Sequence, residues 1–156
     1  MITARPRFLA VTGTTASGKT DLSLALAERL SVEIISMDSR QVYTAMDIGT
    51  DKVGWEARAT VPHHGLDIVR PDQRYSAGHF ARDVRRWLDE IEGRDALPLL
   101  VGGTGFFLRA VTEPIFAEPN LDEARLAALR GYLAVQSVDE LSRFVSVLDP
   151  ARAALA

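Results

Sequence analysis

GTTASGKT, residues 13–20, lies between an apolar run (Phe8, Leu9, Ala10, Val11) and a segment with Leu22, Ala25, Leu26 and Leu30 at helical spacing. The eight residues fit G-x-x-x-x-G-K-[ST], and their flanks supply the strand before and the helix after that this phosphate-binding loop requires. A polyphosphate is held there by backbone N–H groups aimed inward from a tight turn, with the partial positive charge of a helix N-terminus behind them. Gly13 and Gly18 keep Cβ atoms out of that approach, and Thr14, Thr15, Ala16 and Ser17 complete the loop. Lys19 brings an ammonium to the outer oxygens, and the Thr20 hydroxyl completes the shell of a Mg²⁺ that keeps most of its waters. The alternative is a glycine-rich turn that binds nothing, which the flanks disfavour. The loop leaves open what becomes of the phosphate.

The chain has 156 residues, enough for one domain with a sizeable core. With 18 Lys and Arg against 21 Asp and Glu, net charge gives no prior for nucleic acid, so any RNA contact must be local. The absence of cysteine excludes a disulfide framework and thiolate metal sites and fits a reducing cytoplasm. No apolar run is long enough to span a bilayer, and MITARPRF lacks the apolar stretch of a signal peptide. A cytoplasmic protein is the expectation.

Arg7 to Thr12 reads as a strand buried on both faces, because its apolar residues are contiguous, and Lys19 to Leu30 as the helix after it. Val32 to Met37 is a second apolar, β-branched run, ending at Asp38-Ser39-Arg40-Gln41. Ligands of open parallel sheets collect beyond the carboxyl ends of the strands, so Asp38 either faces an acceptor or caps the next turn. Val42 to Lys52 carries turn signals at Asp47, Gly49 and Asp51 and reads as an irregular connection that folds over the site. His63 and His64, with Asp67 nearby, raise a metal site, but neighbours in an extended segment point to opposite sides, which favours packing and hydrogen bonding. Ser76 to Gly93 is the clearest helix, with Phe80, Val84, Trp87, Leu88 and Ile91 on one face. Its Arg82, Arg85 and Arg86 alternate with acids, as on a solvated surface.

Leu97 to Val101 is a third buried strand, followed by Gly102-Gly103-Thr104-Gly105 and a short helix to Thr112. Phosphate-loop hydrolases usually place a Mg²⁺-holding Asp at the end of such a strand. Two glycines here count against simple nucleotide hydrolysis and favour close approach of a ligand to backbone. After Leu121 the chain becomes Ala- and Leu-rich and helical, over Asp122 to Ala134 and Val138 to Leu148, with a break at Asp149-Pro150. The expected architecture is α/β: a P-loop NTPase-like open parallel sheet flanked by helices over residues 1–114, then a helical appendage over 115–156, the start of an insertion domain. Ala151 to Ala156 end without a helix stop signal, so the appendage reads as truncated.

Taken together, GTTASGKT, IISMDSRQVYTAMDIGTDK, VPHHGLDI and PLLVGGTGFFLRAV resemble the tRNA dimethylallyltransferases, firmly over Phe8 to Val111 and loosely over Pro119 to Ala156. The resemblance implies an enzyme whose phosphate loop holds the diphosphate of dimethylallyl diphosphate, with Mg²⁺. It transfers the prenyl group to N6 of adenosine 37 in tRNA. It implies Asp38 as general base, which suits an exocyclic amine whose lone pair is delocalised into the ring. Lys19 and the loop N–H groups would stabilise the departing diphosphate. Thr104 corresponds to a threonine that contacts the target nucleotide, and Asp38, Ser39, Arg40 and Gln41 to a tRNA-contacting segment. Gln41 has the donor and acceptor to read an adenine edge. Arg125 resembles a substrate-contacting arginine across a one-residue gap, with an exposed helix charge as the alternative.

Thr14 stands where the family usually has proline, and Phe107 where a tyrosine is frequent. The family's later glutamine-arginine motif and helices are absent, which leaves Leu126, Leu129, Leu141 and Phe144 as expected exposed apolar positions. Other readings are an adenylate isopentenyltransferase, a P-loop small-molecule kinase, and a non-catalytic fragment that binds only diphosphate or nucleotide such as ATP. The expected form is a monomer.

Overall fold

The structure, a computed structural model, describes residues 7–113 and 122–154, and these fall into two compact units, 7–113 and 122–154. The first unit is an α/β layer structure. Strand β1 (Leu9–Thr12) leads through the phosphate loop into helix α1 (Lys19–Ala27), and β2 (Val32–Ser36) follows. A 3-10 turn (Ile48–Thr50), α2 (Trp55–Thr60) and the two-residue β3 (His63–His64) lead to α3 (Ala77–Glu92), β4 (Leu97–Gly102) and α4 (Gly105–Thr112). The sheet order is β1-β4-β2-β3, and every pairing is parallel.

Register explains the layering. Val32 pairs with Leu97 and Ser36 with Val101, while Leu9 pairs with Leu99 and Thr12 with Gly102. Alternation sends Ile35, Met37 and Leu100 to one face, where Phe80, Val84, Trp87, Leu88 and Ile91 of α3 and Phe107 of α4 pack on them. Val32, Ile34 and Leu99 point to the other face, under Val61 and the half-buried Leu24, Leu26 and Ala27. Helix α3 has the sharp apolar face its spacing predicts. Ser76 caps it by accepting from the His79 N–H, and His79 Nδ1 returns the bond to the Ser76 N–H.

Two expectations are corrected. Strand β1 is not buried on both faces: it lies at the sheet edge, Leu9 is 38% exposed, and only Val11 is half-buried. Its contiguous apolar run is that of a central strand, but among the described residues only β4 pairs with it. Helix α1 ends at Ala27, and Leu22 and Leu30 are exposed. Small polar Ser23 is the residue it buries, with its hydroxyl donating to the Thr20 carbonyl at 2.7 Å.

The second unit contains α5 (Glu123–Ala134), α6 (Val138–Leu148) and α7 (Pro150–Ala153), capped by Asp122, Ser137 and Asp149. None of these helices buries a residue, though Tyr132 and Phe144 bring their rings within 6.4 Å. Leu129 and Phe144 are exposed, as expected, whereas Leu126 and Leu141 are half-buried. The expected junction at 114–115 lies outside the described residues.

Phe80 is fully buried and stacks on Phe107 with ring centroids 4.4 Å apart. Phe80→Ala is therefore expected to cost about 3–5 kcal/mol, read as a lower urea midpoint with unchanged slope. A loss within about 0.5 kcal/mol would contradict the packing described.

Candidate active site

The C-terminal edge of the sheet gathers the ends of β1, β4 and β2. In the phosphate loop Ala16 and Gly18 are left-handed, with φ of 60° and 79°, so the backbone curls twice before α1 begins at Lys19. Gly18 meets no steric limit from its surroundings, so glycine is needed there for conformation rather than room. Lys19 is half-buried and its ammonium donates to the Thr14 carbonyl, which folds the side chain back across the loop. Thr20 is exposed, and its hydroxyl makes no hydrogen bond among the described residues.

Asp38 follows β2 and is half-buried. Its Oδ1 accepts the Arg40 N–H at 2.8 Å and the Gln41 N–H at 3.4 Å, the bonds of an Asx turn. Oδ2 has no partner among the described residues. One oxygen thus fixes the carboxylate, and the other stays unengaged among the described residues. Of the two readings of Asp38 left open by the spacing, these bonds are those of the cap, although the turn it caps leads into no α-helix.

Residues 102–104 join the two loops. A Cβ on Gly102 would lie 2.2 Å from the Met37 carbonyl oxygen, and one on Gly103 would lie 3.0 Å from the Gly13 carbonyl oxygen. The glycines therefore admit the chain's own backbone, on the Asp38 side and the phosphate-loop side respectively. This corrects the expectation that they make room for a ligand. Thr104 follows, its N–H reaching the Met37 carbonyl at 3.4 Å and its hydroxyl accepting the Ser39 N–H at 3.4 Å.

Gln41 differs from expectation. Its Oε1 accepts the Ser36 hydroxyl at 2.9 Å, and its Nε2 donates to the Thr50 and Asp51 carbonyls at 3.1 and 3.2 Å. The amide expected to read an adenine edge is spent inside the chain, where it braces the 41–51 segment. Arg40 is exposed and borders an open recess of about 370 Å³ with Ala45 to Thr50. Arg125 belongs to the second unit, where its guanidinium lies 3.5 Å from Asp122, so the described geometry gives it only a local partner.

His63 and His64 are engaged with different partners. His63 Nδ1 faces the Val61 carbonyl at 2.7 Å, while His64 Nε2 meets Glu33 at 2.7 Å and its ring lies 5.7 Å from Trp87. Burial pushes His63 below its ordinary value of 6.5. Asp67 is instead clasped by Lys52 at 2.7 Å and by Arg58 at 2.8 Å. Among the described residues no group of three or more His, Cys, Asp or Glu is placed to hold a metal. Burial raises the Asp67 carboxyl, but hydrogen bonds from Lys52 and Arg58 outweigh it and hold the group below 3.8. Burial likewise lowers Lys52, and its bonds to Asp67 and Asp47 hold it above 10.5. A lysine in a polar turn gives no sequence signal of burial, which is why this cluster was not legible.

This topology, an open parallel sheet with residues 13–20 and the Asp38 turn at one edge, is that of a P-loop NTPase-like α/β fold. The family model described as IPP transferase matches residues 41–156, and one described as isopentenyl transferase matches residues 6–56. The chain belongs to the IPP transferase family. It is 45% identical over 142 residues to a tRNA dimethylallyltransferase of Desulfotalea psychrophila, covering 91% of this chain and 45% of that protein. With one from Neisseria meningitidis it shares 46% over 145 residues, or 93% and 46% of the two chains. The crystal structure of the full-length tRNA isopentenylpyrophosphate transferase of Bacillus halodurans is similar at a TM-score of 0.70 and 38% identity, covering 97% of this chain and 50% of that one. A eukaryotic dimethylallyltransferase acting on tRNA gives 0.79 at 27% identity, with 96% and 37% covered. The chain thus spans about half the length of the curated relatives it matches.

Gly102→Ala is expected to cost about 1–3 kcal/mol, because the new methyl meets backbone that cannot turn aside. Gly105→Ala, where a Cβ meets nothing within 4 Å, should change stability by less than about 0.5 kcal/mol in the same thermal melts. Equal effects at both positions would contradict the self-packing assigned to Gly102.

At the other end of β2, Glu33 is buried and accepts two bonds from Arg94, at 2.7 and 2.9 Å. Arg94 first, then His64, holds the carboxyl below its ordinary 4.5 against burial, which raises it. A lowered carboxyl gives stability that is complete above the unfolded value and is lost as pH falls through the folded one. The advantage of wild type over Glu33→Gln in urea midpoint should therefore hold at neutral pH and shrink below pH 4.5. An advantage that grows on acidification would reverse the sign of this linkage.

Proposed function

We propose that the chain is the catalytic core of a tRNA prenyltransferase, transferring dimethylallyl from dimethylallyl diphosphate to N6 of adenosine 37 and releasing diphosphate. The observation that carries the reading is the meeting, through Gly102 to Thr104, of the phosphate loop with a carboxylate that keeps one oxygen unengaged. Family membership supports the same chemistry. The chain would act in the cytoplasm as a monomer; among the described residues no helix is long and apolar enough to cross a membrane.

The diphosphate would lie on the N-terminal end of α1, against the backbone of residues 13–18. Lys19 would exchange the neutral Thr14 carbonyl for phosphate oxygens, a stronger, charge-assisted contact. As the allylic C–O bond breaks, charge gathers on the bridging oxygen, and Lys19 and the helix end stabilise it. The N6 lone pair forms the new C–N bond, and its proton passes to Asp38 Oδ2. Thr104, tied to Ser39, would orient the nucleotide beside Asp38, with Arg40 beside the RNA backbone. Arg125 is proposed as a further tRNA contact.

A Mg²⁺ fits this donor set, because Thr20 offers an exposed hydroxyl and a hydrated ion asks the protein for little more. When bound it would supply charge neutralisation at the leaving diphosphate. The glycines at 102–103 leave that task to Thr20 and the phosphates.

The test is transfer of labelled prenyl to an anticodon stem-loop bearing the target adenosine, beside binding of inorganic diphosphate. Asp38→Asn is expected to abolish transfer while leaving diphosphate affinity intact. Lys19→Ala should weaken diphosphate binding by roughly ten- to a hundred-fold, the loss of a charged hydrogen bond. Transfer by the Asn variant, or full diphosphate affinity without Lys19, would sink the assignment of roles. Prenylation of free AMP in place of the stem-loop would move the acceptor to a mononucleotide.

A further inference from the structure

Lys52 takes no part in the chemistry above, yet its side chain is fully buried, at 0% exposure. Its ammonium has three hydrogens and three oxygen partners: the Tyr43 carbonyl at 2.7 Å, Asp67 Oδ1 at 2.7 Å and Asp47 Oδ1 at 2.9 Å. These partners bracket one turn. Tyr43 precedes it, Asp47 lies within it, and Asp67 belongs to the strand-like segment alongside, where the Ile68 N–H reaches the Val42 carbonyl at 2.7 Å and the Thr44 N–H the Val69 carbonyl at 2.9 Å. Arg58 grips the second oxygen of Asp67 and the Val53 carbonyl, both at 2.8 Å. From the near side, Gln41 holds the carbonyls of Thr50 and Asp51. Residues 44–51 are thus fastened at both ends by side chains they enclose.

What this fastening fixes is the wall of the recess beside Arg40. Ile48 stands at its rim, 99% exposed, with Met46 39% exposed. Apolar side chains held out in water over a recess with a guanidinium at its edge do nothing for folding. They offer a surface on which a base can lie while its phosphate meets the cation. Arg40 is two residues from Asp38 and bonds its carboxylate through the backbone. A nucleotide in the recess would therefore be next to the one presented to Asp38.

We propose that Lys52 is a positioning residue for the acceptor: it holds residues 44–51 so that the Arg40 recess receives a single-stranded RNA nucleotide flanking the target base. This rests on the reading of the site as one that prenylates RNA. Lys52 touches no substrate, and its effect is transmitted through the turn.

The experiment combines hydrogen exchange with binding of an anticodon stem-loop and of inorganic diphosphate. Lys52→Met keeps the stem and removes the ammonium. It is expected to speed exchange at Thr44 to Lys52 about ten-fold or more, leave Leu99 and Leu100 protected, and weaken the stem-loop about ten-fold with diphosphate affinity unchanged. Asp47→Asn, at a more exposed partner, should give the same pattern in milder form if the Met variant does not fold. Arg40→Gln should weaken the stem-loop without loosening the turn. Unchanged exchange in the turn, stem-loop affinity that survives Lys52→Met, or parallel loss of diphosphate binding overturns the positioning role. A wild-type chain that binds diphosphate but no stem-loop overturns the RNA reading beneath it, and is distinguished because it appears before any substitution.

Discussion

The site depends on one close approach. At Gly102 the end of β4 comes so near the Met37 carbonyl that only a hydrogen fits between them, and one residue later Gly103 makes a looser but still tight approach to the Gly13 carbonyl. Strand β4 lies between β1 and β2, so its C-terminal glycines are the point at which the phosphate loop and the Asp38 turn are held at fixed spacing. Catalysis by proximity needs donor and acceptor held to within a fraction of an ångström, and backbone contact is a stiffer way to set that spacing than side-chain packing. Thr104 sits where this contact ends, which is why its hydroxyl can reach Ser39.

Charge is distributed to match. The buried ions, Glu33 and Lys52, are neutralised within the scaffold, Glu33 by Arg94 at the opposite end of β2 and Lys52 by Asp47 and Asp67 in the turn after β2. The groups facing the expected ligands are satisfied only in part. Lys19 rests on a neutral carbonyl, Asp38 has engaged one oxygen, and Thr20 has engaged neither lone pair nor proton among the described residues. A buried ion left unpaired would be costly, so unfinished bonding is confined to half-buried or exposed positions where water can stand in for the ligand.

Much of this was legible in the sequence, for reasons that differ by residue. The loop at 13–20 declares itself because backbone geometry and phosphate chemistry together restrict its residues, and α3 because one apolar face repeats over four turns. Strand β1 misled because a contiguous apolar run records what a strand is built to be covered by, not how many neighbours it has. Gly102 and Gly103 were read as room for a ligand, since a glycine states that something comes close without saying what. Gln41 shows the same limit from the polar side. Its donor and acceptor suit an adenine, and they suit Ser36, Thr50 and Asp51 equally well. His63, His64 and Asp67 looked like a cluster only along the chain. In space their partners are Val61, Glu33, Lys52 and Arg58.

The segment between β2 and α2 illustrates how a region without regular structure becomes rigid. A turn of this kind has few backbone bonds of its own and buries little apolar surface, so its order must come from side chains that reach across it. Gln41 supplies neutral bonds at one end and Lys52 supplies charged ones at the other, each with its donors saturated. Ala45, Asp51 and Asp67 accept left-handed φ of 60°, 49° and 53° in this arrangement, a conformation that costs a non-glycine residue roughly 1 kcal/mol. Three such residues around one turn would relax unless the enclosed amide and ammonium over-determined the fold, so these two side chains are what keep the turn ordered. The exposed Ile48 at its tip is then held in place by atoms it never touches, and a loop read from composition as irregular becomes a fixed wall of the recess beside Arg40.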